Sequence, residues 1–216
     1  MIVPIPKRPW QRHNDASINP LRPIMPKSMT RRLGWQDALL LVGGYVTLDW
    51  ASHIHRLHGF DVTPWSPAPA LGLLFLVRHG GRAAPLLALA IFAADVWVRG
   101  VPLPWSLAGA LALQLTAGYW LIAAALRRRI GRKGMFIDRR GLIEWVTIIV
   151  VGTLFNSLVL IAGLALTGHL PTTAGGTVLL ATWLADAVGI LISMPLLAML
   201  LDERSRSRLR RLLLGR

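Results

Sequence analysis

Apolar residues come along this chain in six runs, separated by short basic or polar stretches. The first extends from about Trp35 to Ser52, the second from Pro67 to Val77, and the third from Ala83 to Val98. The fourth extends from about Trp105 to Leu126, the fifth from Leu142 to Thr167, and the last from Thr177 to Leu201. None keeps the charged stripe that a helix on the surface of a water-soluble domain shows. A helix of roughly 20 apolar residues crosses about 30 Å of hydrocarbon, and in lipid only such internally bonded backbone is tolerated. The pattern therefore predicts an all-α fold, a polytopic integral membrane bundle of about six hydrophobic helices. The second run is short. Pro64, Pro67 and Pro69 crowd its start, Arg78 closes it, and His79-Gly80-Gly81 follows. Its expected form is a half-helix that enters and turns back, or a short span.

Polar flanks divide the rest. Residues 1–34 are basic and Pro-rich, without an apolar core, and are expected to form a flexible arm rather than a signal peptide. Residues 35–201 form the membrane domain and 202–216 a basic tail. Lys and Arg sort the connections by side. Seven lie in the arm, seven in RRRIGRKGMFIDRR, six in the tail and two in RHGGR; the alternate loops hold only Arg56 and Arg99. Such a bias marks the cytoplasmic side. Both termini are expected there, and a re-entering second segment leaves the later loops on the same sides.

Composition agrees: 54% of residues are hydrophobic and 16% charged, where a soluble domain carries about a quarter charged. The net charge of +14 is accounted for by topology, so nucleic acid is not an expected partner. The expected partners are the lipid bilayer and, through the arm and the tail, other proteins. With no cysteine, thiolate metal sites and cysteine nucleophiles are excluded.

Ionisable residues within apolar runs are costly and call for a reason. By helix rise, Asp49 and Asn156 fall roughly 9 Å below the outer edge, and Asp95, Gln114 and Asp186 roughly 13 Å below it. Five polar residues from five runs are thus expected in one layer, the candidate ligand- or proton-responsive site. No Lys or Arg is expected in it, so a cation or protons should balance its three carboxylates. Above it, His53, His55, His58 and, in the last outer loop, His169 suit a divalent metal or a proton-sensitive site. Plainer readings stand beside these. Buried Asn, Gln and Asp serve as hydrogen-bonding glue between helices, and loop histidines are commonly only solvated. No cofactor is specified, and no nucleophile–base pair marks an enzyme. The residues leave two functions open: a sensory module, or an accessory subunit of a larger membrane complex.

Two segments carry a family resemblance. WLADAVGILISMPLL, residues 183–197, fits W-x-x-D-x-x-G-x-L-x-x-x-P-L through Trp183, Asp186, Gly189, Leu191, Pro195 and Leu196. Residues 65–100, with WSPAPALG and RHGGRAAP, fit more loosely a W-P-P-A-G entry and a G-R-R-x-x-P turn. Together they resemble the first of the bacterial membrane-associated sensor domain families. The resemblance implies an integral-membrane sensory module of the bacterial inner membrane that feeds a histidine kinase or diguanylate cyclase. In this sequence only DERSRSRLRRLLLGR follows Leu201, a departure from that pattern that leaves either an input module without its own catalytic output or the same fold put to another use.

Overall fold

The structure, a computed structural model, describes residues 33–53, 65–100, 103–130, 139–170 and 174–201. Most of the arm, the whole tail, His55 and His58 lie outside the described residues. Within them the chain is helical, with no strand. Six α-helical segments follow one another: α1 (Trp35–His53), α2 (Ala68–His79), α3 (Ala84–Ala94), α4 (Trp105–Ile130), α5 (Arg139–Leu166) and α6 (Gly175–Leu201). A 3-10 turn, Gly80–Ala83, joins α2 to α3, and a π turn, Asp95–Arg99, extends α3. Four helical stretches are long and apolar enough to cross a membrane: Ala68–Arg99, Trp105–Arg129, Arg139–Leu166 and Gly175–Leu201.

The helix ends follow local chemistry. Asp37 in the first turn of α1 accepts a hydrogen bond from the Gly34 N–H at 3.2 Å, which suits the positive end of the helix. Pro67 and Pro69 open α2, where a missing N–H costs nothing. α2 stops at Gly80, whose φ of 67° and ψ of −152° are open to glycine and strained for any other residue. The π turn closes on Gly100, left-handed at φ 57°, its N–H bonded to the Asp95 carbonyl.

Gly80 folds the stretch Ala68–Arg99 back on itself. In one straight helix, residues 72 and 87 would stand about 22 Å apart. Instead a Cβ on Gly72 would lie 2.6 Å from Leu87 Cδ1. α2 and α3 thus form a hairpin, and α2, at 12 residues, is only about 18 Å long. Its start lies half-way along α6, where the Ser66 N–H donates to the Ala185 carbonyl at 3.3 Å. Its end reaches the end of α6, where Arg78 Nη1 donates to the Leu201 carbonyl at 3.5 Å. α2 is therefore a buried half-helix beside the C-terminal half of α6. All but two of its residues are buried, Leu73 and Leu76 completely.

The other helices alternate in direction. α4 and α5 run antiparallel, with Leu111 facing Gly163, Ile122 facing Gly152, and Gln114 bonded to Asn156. α2, α4 and α6 finish at one end of the bundle; α1 and α3 finish at the other, joined by Asp49 and Arg99. Outward faces carry large apolar side chains, among them Val151, Phe155, Leu184, Ile192 and Leu196, as expected where the surroundings are lipid rather than water. Trp35, Trp50, Trp97 and Trp105 are exposed near helix ends. Trp145 differs: it is 4% exposed and packs in the core.

Candidate functional site

The end of α1 and the end of the α3 hairpin meet through charge. Asp49, four residues from the end of α1, receives Arg99 Nη2 at 2.7 Å and Arg99 Nε at 3.1 Å. This two-point fork is the strongest geometry available to a guanidinium and a carboxylate. Arg99 Nη1 turns back to Asp95 Oδ1 at 3.3 Å, one turn earlier. The Asp49 side chain is 3% exposed and that of Arg99 38%, so the pair is anchored inside and opens outward. Its cation lies on a π turn, a geometry that concentrates at functional sites.

This corrects one expectation. The carboxylates were expected to share their layer with no Lys or Arg, and Arg99 was assigned to an outer loop. The helix continues past Val98 as a π turn and carries Arg99 back toward Asp49. One cation thus serves two of the three carboxylates.

The third carboxylate has a different partner. Tyr119 Oη of α4 donates to Asp186 Oδ2 of α6 at 2.6 Å, and both residues are buried. Tyr45 of α1, 3% exposed, lies one turn before Asp49 on the same face of its helix. Asp186 lies within electrostatic reach of Arg99 and Asp49. Two bonded groups, Asp49–Arg99–Asp95 between α1 and the π turn and Tyr119–Asp186 between α4 and α6, thus make up the network, with no hydrogen bond joining one to the other among the described residues. The chain has only two tyrosines, and both stand here. Sequence reading missed them because tyrosine passes as an apolar aromatic. The signal was that scarcity, set against nine tryptophans.

Gln114 and Asn156 lie apart from this network as a seam between α4 and α5. Gln114 Nε2 donates to Asn156 Oδ1 at 2.8 Å and to the Asn156 carbonyl at 3.4 Å. Asn156 Nδ2 donates to the Leu115 carbonyl at 3.5 Å. Gly118 makes room, since a Cβ there would overlap the Asn156 amide. Gln114 Oε1 is buried without a partner among the described residues. The expected single layer thus resolves into an ionic corner, a Tyr–Asp pair and an amide seam.

The floor of the network is set by α6. Gly189, one turn after Asp186, lies against the Ser66 backbone so closely that a Cβ would overlap the Ser66 carbonyl. Trp183, one turn before Asp186, donates from Nε1 to the Val150 carbonyl of α5 at 3.0 Å. Asp186 is thus held between two anchors, one to α5 and one to the entry of α2.

The histidine reading is reached only in part. His53 ends α1 and His169 is exposed in the turn after α5; among the described residues no group of three or more His, Asp or Glu could hold a metal. The described helices and the buried polar network belong to a multi-pass membrane protein. Comparison with protein-family models, curated proteins and solved structures gives no match.

Proposed function

We propose that this chain is a sensory module of the bacterial inner membrane, with both termini cytoplasmic. The network of Asp49, Asp95, Arg99, Tyr45, Tyr119 and Asp186 is its responsive element. A proton, a cation or a small polar ligand approaching from the Arg99 end alters the sharing of charge among three carboxylates and one guanidinium. The change reaches α6 through Asp186 and moves that helix against α4 and the entry of α2. From α6 it passes to the basic tail, which docks on an output protein.

The observation that carries this reading is the Tyr119–Asp186 bond of 2.6 Å on the helix that leads to the tail. Orientation is supported by the arginines. Arg78, Arg82 and Arg127–Arg129 gather at the end where α2, α4 and α6 finish, with Arg139 and Arg140 opening α5, against Arg99 at the other end. The resemblance to the bacterial sensor family gains a physical content here. Trp183, Asp186 and Gly189 of its best-fitting motif each make a distinct inter-element contact.

The test is thermal unfolding of purified protein from acid to neutral pH, comparing the native chain with Asp186→Asn and Tyr119→Phe. A responsive network gives a pH profile that Asp186→Asn flattens or displaces. An unchanged profile in both variants overturns the reading.

A further inference from the structure

At the end of the bundle where α2, α4 and α6 finish, a groove of about 340 Å³ opens between α4 and the turn after α2. Leu76 of α2 forms its floor; Trp120, Ala123, Ala124, Arg127 and Arg128 of α4 form its wall. These five positions repeat at three and four residues, so they share one face of α4. The two alanines make the hollow. Trp120 bounds it toward the middle of the bundle and the arginines bound it toward the helix end, about 10 Å further along.

The turn between α2 and α3 is shaped to this wall. A Cβ on Gly80 would lie 2.6 Å from Arg127 Nη1, and one on Gly81 would lie 3.3 Å from Trp120 Nε1. Bare backbone at both glycines leaves space for the guanidinium and the indole to lie over the turn. Neither Arg127 nor Arg128 has an acceptor among the described residues. From the middle of the bundle toward the helix end, the groove therefore presents the Trp120 indole, an apolar hollow at Ala123 and Ala124 over Leu76, and two guanidiniums that are unpaired among the described residues.

An anionic phospholipid presents the complementary pair, an acyl chain in the hydrocarbon and a phosphodiester at its edge. Arginines at helix ends take phosphate oxygens, and basic pockets between membrane helices take anionic head groups. We propose that this groove binds one anionic phospholipid of the leaflet at the basic end. Arg127 and Arg128 hold the phosphodiester, and an acyl chain lies over Ala123, Ala124 and Leu76 and along the Trp120 ring. The site is independent of the polar network, and the bound lipid braces the α2–α3 turn against α4.

The test uses the full chain in neutral detergent, with phosphatidylglycerol or phosphatidylcholine added at equal concentration. Retained lipid is counted by native mass spectrometry and the unfolding midpoint is followed. The native chain is expected to retain phosphatidylglycerol selectively and to unfold at higher temperature with it. Arg127→Gln with Arg128→Gln should weaken retention roughly tenfold. Ala124→Leu, which keeps every charge and fills the hollow, should also weaken it. Arg139→Gln with Arg140→Gln should leave it unchanged. Equal loss in both arginine pairs means diffuse attraction to a basic surface and overturns the site. So does retention of phosphatidylcholine to the same extent, or an unaltered Ala124→Leu. An equal rise in midpoint with inorganic phosphate alone replaces the lipid by a free anion and overturns the proposal as stated.

Discussion

The ionic network and the α4–α5 seam are built from residue types that look alike in the sequence, single polar side chains within apolar runs. Their surroundings make them different objects. In the seam, two neutral amides bond mainly to each other and to backbone, across helices already packed through Gly118 and Gly152. In the network, three carboxylates, two phenols and a guanidinium reach over four elements, and the guanidinium is more than a third exposed. A neutral pair can be swapped for apolar side chains at little cost, whereas a charged set cannot lose one member without stranding another. The seam can hold helices together; of the two, the network alone carries groups that can gain or lose a proton.

Two glycine substitutions break this comparison most strongly. Gly189→Ala places a methyl group on the Ser66 carbonyl, which is backbone and cannot swing aside. The entry of α2 must move, Asp186 loses its floor, and a loss of about 3 kcal/mol or more, or of folded protein altogether, is expected. Gly118→Ala also creates an overlap, but with the Asn156 side chain. That amide can rotate away, so the cost is expected near 1 kcal/mol. Unfolding midpoints in detergent and folded yield measure both. Similar losses for the two would show that the seam is as constrained as the network.

Charge comes next. Asp49→Asn strands Arg99 with Asp95 alone and should cost about 1–3 kcal/mol, reduced from the fully buried case because Arg99 is partly open. Arg99→Gln should cost a similar amount. The double variant should be more stable than the sum of the two losses predicts. Strict additivity in that cycle would mean that the fork does not couple α1 to the hairpin. Tyr119→Phe should cost about 1–2 kcal/mol, since it leaves a buried carboxylate oxygen without its donor. It should also shift the pH profile, which no variant in the seam should do.

Much of this arrangement was legible in the chain. The three prolines and the Gly80-Gly81 pair foretold a short, turning second helix, because proline and glycine act on backbone wherever they occur. The apolar runs foretold the helices, and the cost of polar groups in lipid singled out Asp49, Asp95, Gln114, Asn156 and Asp186. The depth of α2 was not legible, since its starting prolines read the same at any level along α6. Nor was the pairing. Asp49 and Arg99 are 50 residues apart, Gln114 and Asn156 are 42 apart, and Tyr119 and Asp186 are 67 apart. Helix rise assigns a depth to each residue but not a direction around the helix axis. Arg99 escaped because the apolar run was taken to end at Val98, one residue before the π turn ends.

The smallest expected effect is also the most discriminating. Gln114→Leu removes both donors to Asn156 and deletes Oε1, a buried atom with no partner among the described residues. The lost bonds destabilise; removing the orphaned acceptor and adding apolar contact stabilise. Interhelical polar bonds in membranes average about 0.6 kcal/mol, so the two sides should nearly cancel. The variant is expected to unfold within about 0.6 kcal/mol of the native chain and to keep its pH profile. A larger loss, or a displaced profile, would place Gln114 in the responsive network after all, and the division between glue and switch would have to be drawn through α4 at another point.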